Sequence, residues 1–311
     1  MSIELIDLTL GFALALWWSA WFSSAISLWL LKQAQPVTSN SHDSVTLHQR
    51  ENLIWSCALL PWGVGLLSAW LLVNPQSFWF LPHCHGDVCE VHAPELASTS
   101  AIASTSLVIL ALLLISIALR RLWRLHHQRQ QLRLMQQLST LDTRRDVRVI
   151  PSTNRLAWCA GLWRPVIYLS QGLLDELSER ERQLVLIHEH SHRWRRDNLR
   201  RWCLQWLLWC WWPDARRRVV VDYHRLTEQI ADAMVLQQGF EPQELIELRH
   251  RISTDVAEPV PSSVRNQTSG TADQSDPKSQ RIMALLAVLA LTQVSLFSVL
   301  LHPLLDHLFL F

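Results

Sequence analysis

The stretch that decides the fold reads LVLIHEHSHRWRRDN and occupies residues 184–198. It contains the pattern H-E-x-x-H, and an apolar run leads into it, which indicates a helix. Because residues four positions apart share a helix face, His188 and His192 can bind one zinc ion. Glu189 lies beside that face and can take a proton from a water that zinc acidifies. We therefore predict a zinc-binding catalytic helix, with Glu189 as its base.

A catalytic zinc needs a third protein ligand and keeps its fourth position open for water. The best candidate is Glu228, which follows His192 by 36 residues and shares a predicted helix face with Asp232. Glu228 can bind the metal, while Asp232 can accept the N–H of a ligand histidine and fix its tautomer. The alternative is a solvated acidic helix face. His190 does not share a face with the other two histidines, so we expect it to pack or to support them.

Short elements surround these motifs and predict a small α+β domain over residues 121–252. Three pieces have strand character: residues 147–150, 156–159 and 165–169. The last of them is a candidate edge strand for pairing with an extended substrate. Ser170 predicts a helix start, and Ser178 with Glu181 forms a capping-box pattern before the zinc helix. Tyr223 and His224 are candidates for stabilising an oxyanion.

The composition is typical of a membrane protein. Hydrophobic residues make up 49% of the 311 residues and charged residues 18%, whereas soluble domains carry about 25% charged residues. The 17 Trp fit a membrane interface, where the ring is apolar and the N–H stays wet. The net charge of +1 gives no indication of nucleic-acid binding, and we expect none.

Four apolar runs are long enough to cross a bilayer, which takes roughly 20 residues. The predicted spans are residues 8–31, 53–73, 101–119 and 282–301. A buried core helix is the alternative for any one run, but four runs together argue against it. The first run has acidic residues where a signal peptide is basic, so we interpret it as an uncleaved span. Residues 202–212 are apolar but too short to span, and they predict a buried or interfacial helix.

The orientation follows from the positions of Lys and Arg. Five Arg follow the third run between residues 120 and 133, while the loop 74–100 has neither Lys nor Arg. This places residues 120–281 in the cytoplasm of a bacterial inner-membrane protein, with both termini outside. Residues 253–281 are rich in Ser, Pro, Thr, Asp and Gln and predict a flexible linker.

The predicted external loop, residues 74–100, holds a cluster of potential ligands: Cys84, Cys89, His83, His85 and His92. In an oxidising compartment the two cysteines can form a disulfide. A metal-sensing site built from the three histidines is the alternative, and the disulfide or a plain loop is favoured. The cysteines at 159 and 203 have apolar surroundings, where a thiol is usually inert.

Several of these motifs together resemble the BlaR/MecR-type membrane metallopeptidases. The motif at 188–192 followed by Arg195 to Asn198 is similar to the HE-x-x-H-x-x-RRDN block of that family. Gly161 to Leu169 resembles its G-x-x-x-P-x-I-x-L stretch, and Trp211 to Pro213 its aromatic-Pro turn. Glu228 to Asp232 resembles its E-x-x-x-D element, whose Glu is the third zinc ligand. The resemblance covers residues 145–240.

The resemblance implies a gluzincin-like zinc domain between the third and fourth spans of a mainly α membrane protein. It also implies signalling proteolysis, either of the protein itself or of a transcriptional repressor. In the best-known members an external penicillin-binding sensor domain follows the fourth span. Only residues 302–311 follow it here, so we expect no such sensor and expect the signal to come from the external loop, the membrane or a separate partner.

Two alternative functions remain. A non-catalytic zinc-containing membrane receptor or scaffold would need no base, so the presence of Glu189 argues against it. A housekeeping membrane protease of the CAAX or heat-shock type also carries H-E-x-x-H beside spans. The four-span arrangement and the RRDN block at residues 195–198 argue against that interpretation.

Overall fold

The computed structural model describes residues 13–26, 44–73, 83–85, 88–90, 101–253 and 277–296. The described chain is mostly helical with a small sheet, as predicted. Its helices are α1 (Ala13–Ile26), α2 (Ser44–Val73), α3 (Ala101–Leu138), α4 (Gln171–Glu176), α5 (Glu179–Arg195), α6 (Asp197–Leu207), α7 (Pro213–Gln237), α8 (Pro242–Ser253) and α9 (Pro277–Leu296). Most of the predicted linker at 253–281, the outer ends of the first and fourth predicted spans, and His92 lie outside these ranges.

A four-stranded sheet packs against α5, the helix that carries His188 and His192. Its strands are β3 (Thr140–Asp142), β4 (Val147–Ile150), β5 (Ala157–Ala160) and β6 (Val166–Ser170), in the order β3-β4-β6-β5. Strands β4 and β6 are parallel, and the other two pairings are antiparallel. The three predicted strands are therefore confirmed to within one residue.

The prediction that residues 165–169 form an edge strand is wrong. Strand β6 is hydrogen-bonded on both sides, and Ile167, Tyr168 and Leu169 are buried. A continuous apolar run is typical of a strand that is buried on both faces, which explains its central position. The edge next to β6 is β5, and β5 packs against α5.

Side-chain caps fix where the helices around the site begin. The Ser178 side chain accepts a hydrogen bond from the Glu181 backbone N–H, and the Glu181 carboxylate accepts one from the Ser178 backbone N–H, so the predicted capping box is confirmed. Ser170 caps α4, as predicted, and its Oγ also accepts a bond from the backbone N–H of Leu156. These contacts position α4 and α5 against the sheet.

Two hydrophobic clusters enclose α5 and α7. One lies between the sheet, α5 and α8 and contains Ile167, Leu184 and Leu248, among others. The other joins α2 to α6 and α7 through residues such as Ile54 and Leu204. The apolar stretch 202–212 contributes buried residues to this second cluster, which confirms the buried alternative for it. The first half of α2 is thus part of the core that carries the site.

Among the described residues, helix α2 also meets the length and composition criteria for crossing a membrane. Residues Thr46–Leu71 are long and apolar enough by length and composition, with a mean hydropathy of 1.5. Shorter apolar helices occupy Ala13–Ile26 and Ala284–Ser295 in α1 and α9. The Ser19 hydroxyl in α1 donates to the Gln293 side-chain oxygen in α9 at 2.5 Å, so a buried polar contact joins these two helices.

A separate two-stranded hairpin lies in the predicted external loop. Strand β1 (His83–His85) pairs with β2 (Val88–Glu90), and Cys84 lies opposite Cys89 in the antiparallel register. This register is compatible with the predicted disulfide, which stays a prediction, as does the alternative metal site.

Candidate metal centre

Two helices bring three potential metal ligands together. His188 and His192 project from α5, and Glu228 projects from α7, which packs beside it. The two histidine Nε2 atoms lie 3.2 Å apart. Glu228 Oε2 lies 3.4 Å from Nε2 of His188, and its Oε1 lies 3.6 Å from Nε2 of His192. The three side chains therefore converge on one point, which brings the candidate Glu228 to the histidine pair that the spacing predicted.

The size of this triangle fits a tetrahedral zinc ion. Zinc binds histidine nitrogen and carboxylate oxygen at about 2.0–2.2 Å, so adjacent tetrahedral ligands lie about 3.4 Å apart. The three distances in the protein lie within 0.2 Å of that separation. A set of two imidazoles and one carboxylate is also a donor combination found in catalytic zinc sites, where the fourth position stays open. His188, His192 and Glu228 would hold the ion.

A carboxylate orients each histidine from behind. Asp232 Oδ1 lies 3.2 Å from Nδ1 of His188, and Asp197 Oδ2 lies 2.7 Å from Nδ1 of His192. Each Nδ1–H can therefore donate to a carboxylate, which leaves each Nε2 lone pair directed at the shared point. The structure brings Asp232 to the position predicted for it, while the sequence assigned no such contact to Asp197.

The pKa values show that the site favours positive charge. Burial lowers the pKa of His188, but hydrogen bonds to Asp232 and Glu228 outweigh it and raise that pKa to about 9. Burial also lowers the pKa of His192, but hydrogen bonds to Asp197 and Glu228 outweigh it and raise that pKa to about 9. Burial raises the pKa of Glu228, but the two imidazoles reverse this and lower it well below its usual range. The negative potential that stabilises imidazolium also favours a divalent cation.

Glu189 lies one residue along α5 from His188 and is buried. Burial is the main cause that raises the pKa of its carboxyl group, and the charge of Glu228 adds to it. A carboxylate with a raised pKa is a better proton acceptor near neutral pH than an exposed one. Its position and environment therefore suit the role of general base.

The RRDN segment, residues 195–198, joins α5 to α6, and several of its residues make distinct structural contacts. Arg196 adopts a left-handed conformation, with φ 53° and ψ 46°, and turns the chain from α5 into α6. This turn brings Asp197 back against His192. The Asn198 side-chain amide donates to the Cys159 carbonyl oxygen at 2.9 Å, which ties the start of α6 to edge strand β5. The segment thus positions a potential metal ligand, His192, and the edge strand β5 together.

The structure tests the predictions for three nearby residues, His190, His224 and Tyr223, with different results. His190 is exposed, and its Nδ1 contacts the Leu186 carbonyl oxygen of its own helix. It lies outside the group of potential ligands, as expected, but the expectation that it packs or supports the other histidines is wrong. His224 Nδ1 lies 3.5 Å from Glu228 Oε1, so its predicted role stays a prediction. The prediction for Tyr223 is wrong, because its ring is fully buried in the core and its hydroxyl donates to Glu51.

The predicted inertness of Cys159 agrees with its environment. Burial, together with the nearby charge of Glu189, raises the pKa of the Cys159 thiol to about 12. A thiol with that pKa is almost entirely protonated at neutral pH, and the thiolate is the reactive form. Burial also raises the pKa of Cys203.

An H-E-x-x-H helix with its buried glutamate and a second glutamate from a neighbouring helix are the features of a metallopeptidase site. Comparison with known proteins agrees with this class. Residues 97–238 match the family described as BlaR1 peptidase M56, so this part of the chain is similar to that family. The match includes the three potential ligands and the RRDN segment. No curated protein and no solved structure gave a significant match.

Proposed function

We propose that this protein is a zinc-dependent endopeptidase embedded in the bacterial inner membrane, which cleaves itself or a transcriptional repressor in regulated signalling. The convergence of His188, His192 and Glu228 at tetrahedral spacing, beside the buried Glu189, is the observation that carries this proposal. The match of residues 97–238 to a peptidase family supports the same reaction class.

The residues of the site divide the work of peptide hydrolysis. The chemistry that a zinc ion supplies in this triangle is Lewis acidity toward a water molecule and the scissile carbonyl. Glu189 takes a proton from the attacking water and delivers it to the departing amine nitrogen. Asp232 and Asp197 hold the two imidazoles so that their Nε2 atoms stay directed at the shared point. Edge strand β5 lies beside α5, where an extended peptide can lie against it.

The membrane arrangement belongs to the same proposal. Four spans would carry the peptidase domain on the cytoplasmic side between the third and fourth, with both termini outside. The apolar helix α2 and the loop 74–100, which has neither Lys nor Arg, support this topology. The partners are then the lipid bilayer, a protein substrate and a separate sensor protein.

The first test compares the detergent-purified wild type with Glu189→Gln. Both proteins should bind about one zinc, because Glu189 is not a ligand. The substitution should lower the rate of peptide cleavage by about 10²–10⁴-fold, the contribution of a positioned general base. Metal analysis gives the zinc content, and mass spectrometry of the chain's own fragments and of a mixed peptide library gives cleavage.

Glu179→Gln is the matched control, because Glu179 lies on the same helix and is exposed. It should leave both zinc and cleavage unchanged. Absence of zinc from the wild type would refute the metal site. Zinc without cleavage in wild type, together with unchanged signalling by Glu189→Gln, would favour the receptor alternative.

A further inference from the structure

A charged residue lies buried in the apolar helix α2. Glu51 is 4% exposed, although it is inside the segment Thr46–Leu71 that is apolar enough to cross a membrane. Its Oε1 accepts hydrogen bonds from Arg195 Nη2 and Arg200 Nη1, each at 2.8 Å, and from the Tyr223 hydroxyl at 3.0 Å. Three donors from α5, α6 and α7 therefore converge on one oxygen of α2. Burying a carboxylate is costly unless it is paired in this way.

Arg195 connects this carboxylate to the metal centre. Its Nη2 donates to Glu51, while its Nε donates to Asp197 Oδ1 at 3.2 Å. The other oxygen of Asp197 holds Nδ1 of the potential metal ligand His192 at 2.7 Å. Glu51, Arg195 and Asp197 are all buried, so solvent does not screen these contacts. An unbroken chain of hydrogen bonds thus runs from α2 to a metal ligand.

The charges along this chain are balanced. Glu51 and Asp197 each carry a negative charge, and Arg195 and Arg200 each carry a positive one. Removal of the Glu51 charge leaves Arg195 in the core with Asp197 as its only buried anionic partner among the described residues. The guanidinium is then drawn toward Asp197 and competes with His192 for that carboxylate. A change in α2 therefore alters the environment of Nδ1 of His192.

We infer that Glu51 is a positioning residue for the metal site, which acts on His192 through Arg195 and Asp197. This inference rests on the proposed function, since it requires His192 to bind metal. It goes beyond that function because it gives the candidate membrane helix a physical connection to a metal ligand. A displacement of α2 would change the orientation of His192 through three hydrogen-bonded side chains.

The test uses the full-length protein in detergent with zinc alone or cobalt(II) alone as the probe. Cobalt absorption bands report the geometry of the ligands, and chelator competition gives the zinc affinity. Asp197→Asn, which changes the partner of His192 directly, should weaken zinc binding by about 10–100-fold and shift the cobalt spectrum. Glu51→Gln should shift the spectrum in the same direction and weaken zinc binding by a smaller factor.

A double-substitution cycle separates positioning from general stability. Because Glu51 acts through Asp197, the effects of the two substitutions on zinc affinity should not multiply in the double variant. The control is Trp62→Phe, since the Trp62 indole N–H donates to the Leu207 carbonyl oxygen in α6 and has no connection to Asp197. The effects of Trp62→Phe and Asp197→Asn on zinc affinity should multiply in the double variant. Trp62→Phe alone should have the wild-type cobalt spectrum.

Each outcome is decisive. A Glu51→Gln protein that unfolds at a lower temperature but keeps the wild-type cobalt spectrum and zinc affinity would show a purely structural tie and overturn the inference. If Glu51→Gln does not fold, Arg195→Lys replaces it, because a lysine ammonium lacks the two separate nitrogens with which the guanidinium holds Glu51 and Asp197 in fixed positions. An unchanged cobalt spectrum in that variant would also overturn the inference. A wild type that binds no metal refutes the proposed function instead.

Discussion

Arg196 has the left-handed backbone conformation that L residues other than glycine seldom adopt. Its side chain is exposed, so substitution removes few contacts. Glycine removes a steric cost of roughly 1–2 kcal/mol but loses about 0.5–1 kcal/mol through its flexible unfolded state. We expect Arg196→Gly to raise the free energy of unfolding by up to about 1 kcal/mol and Arg196→Val to lower it. Thermal unfolding of the two variants beside wild type measures this, and equal stabilities for Gly and Val would contradict the prediction.

Asp232 contacts the potential metal ligand His188 and is itself positioned by Arg249. Its Oδ1 lies 3.2 Å from Nδ1 of His188 and accepts a hydrogen bond from Arg249 Nη2 at 2.7 Å. Asp232→Asn should weaken zinc binding by about 10–100-fold, because the amide orients the imidazole less strongly than the carboxylate. Asp214→Asn is the control, since Asp214 lies on the same helix and is exposed. Chelator competition measures both, and equal zinc affinities would assign Asp232 a packing role alone.

The part of the site that the sequence predicted depends on the geometry of single helices. Four-residue spacing placed His188 with His192 and Glu228 with Asp232, because each pair lies on one helix. The same geometry explains why the prediction for Tyr223 was wrong. Tyr223 precedes Glu228 by five positions and therefore lies about 140° around α7 from it.

The contact of Asp197 with His192 was not predictable from spacing, because it depends on the left-handed turn at Arg196. That conformation is uncommon for arginine, and nothing in its side chain signals it. The only sequence signal for Asp197 was its place in the RRDN block.

At the scale of elements, the sequence analysis assigned α2 and the peptidase domain to separate regions, but the structure packs them together. The sequence predicted a cytoplasmic domain at residues 121–252 and a membrane span at 53–73. The structure packs residues Leu47 to Ala58 of α2 among α6 and α7, and Glu51 pairs with their arginines. Apolar runs show where chain is buried, but they do not show whether lipid or protein buries it. The helix therefore serves a peptidase core and meets the criteria for a span.

This packing predicts that the segment 121–252 does not fold alone. Without α2, the buried faces of α6 and α7 would be exposed to water and Arg195 would lose a buried partner. Breaking a buried pair costs about 3–5 kcal/mol, a large part of the stability of a typical domain. We expect fragment 121–252 to bind no zinc and to be digested rapidly by protease, whereas fragment 44–253 in detergent should resist digestion. A protease-resistant, zinc-binding fragment 121–252 would refute this prediction.

At the scale of the whole molecule, three apolar helices contact one another near the middles of their predicted spans. Ser19 contacts Gln293, and each lies near the middle of its predicted span, at 8–31 and 282–301. Val64, near the middle of the span 53–73, packs in one cluster with Val294. Helices that cross the same hydrocarbon layer should meet in this way, with buried polar side chains paired between them. The contacts agree with helices that cross one layer together, as the proposed topology requires.

The proposed topology predicts which cysteines a membrane-impermeant maleimide reaches in spheroplasts. The loop 74–100 has no Lys or Arg, so Cys84 and Cys89 should be outside and should be labelled after treatment with an impermeant reductant. A cysteine at the exposed position 133, introduced as Arg133→Cys with the native cysteines removed, should react only after lysis. Labelling of Cys84 and Cys89 without reductant would exclude the disulfide but keep the topology. Labelling of position 133 in intact spheroplasts would place the peptidase domain outside and overturn the topology, because the arginines that follow the third span would then lie on the wrong side.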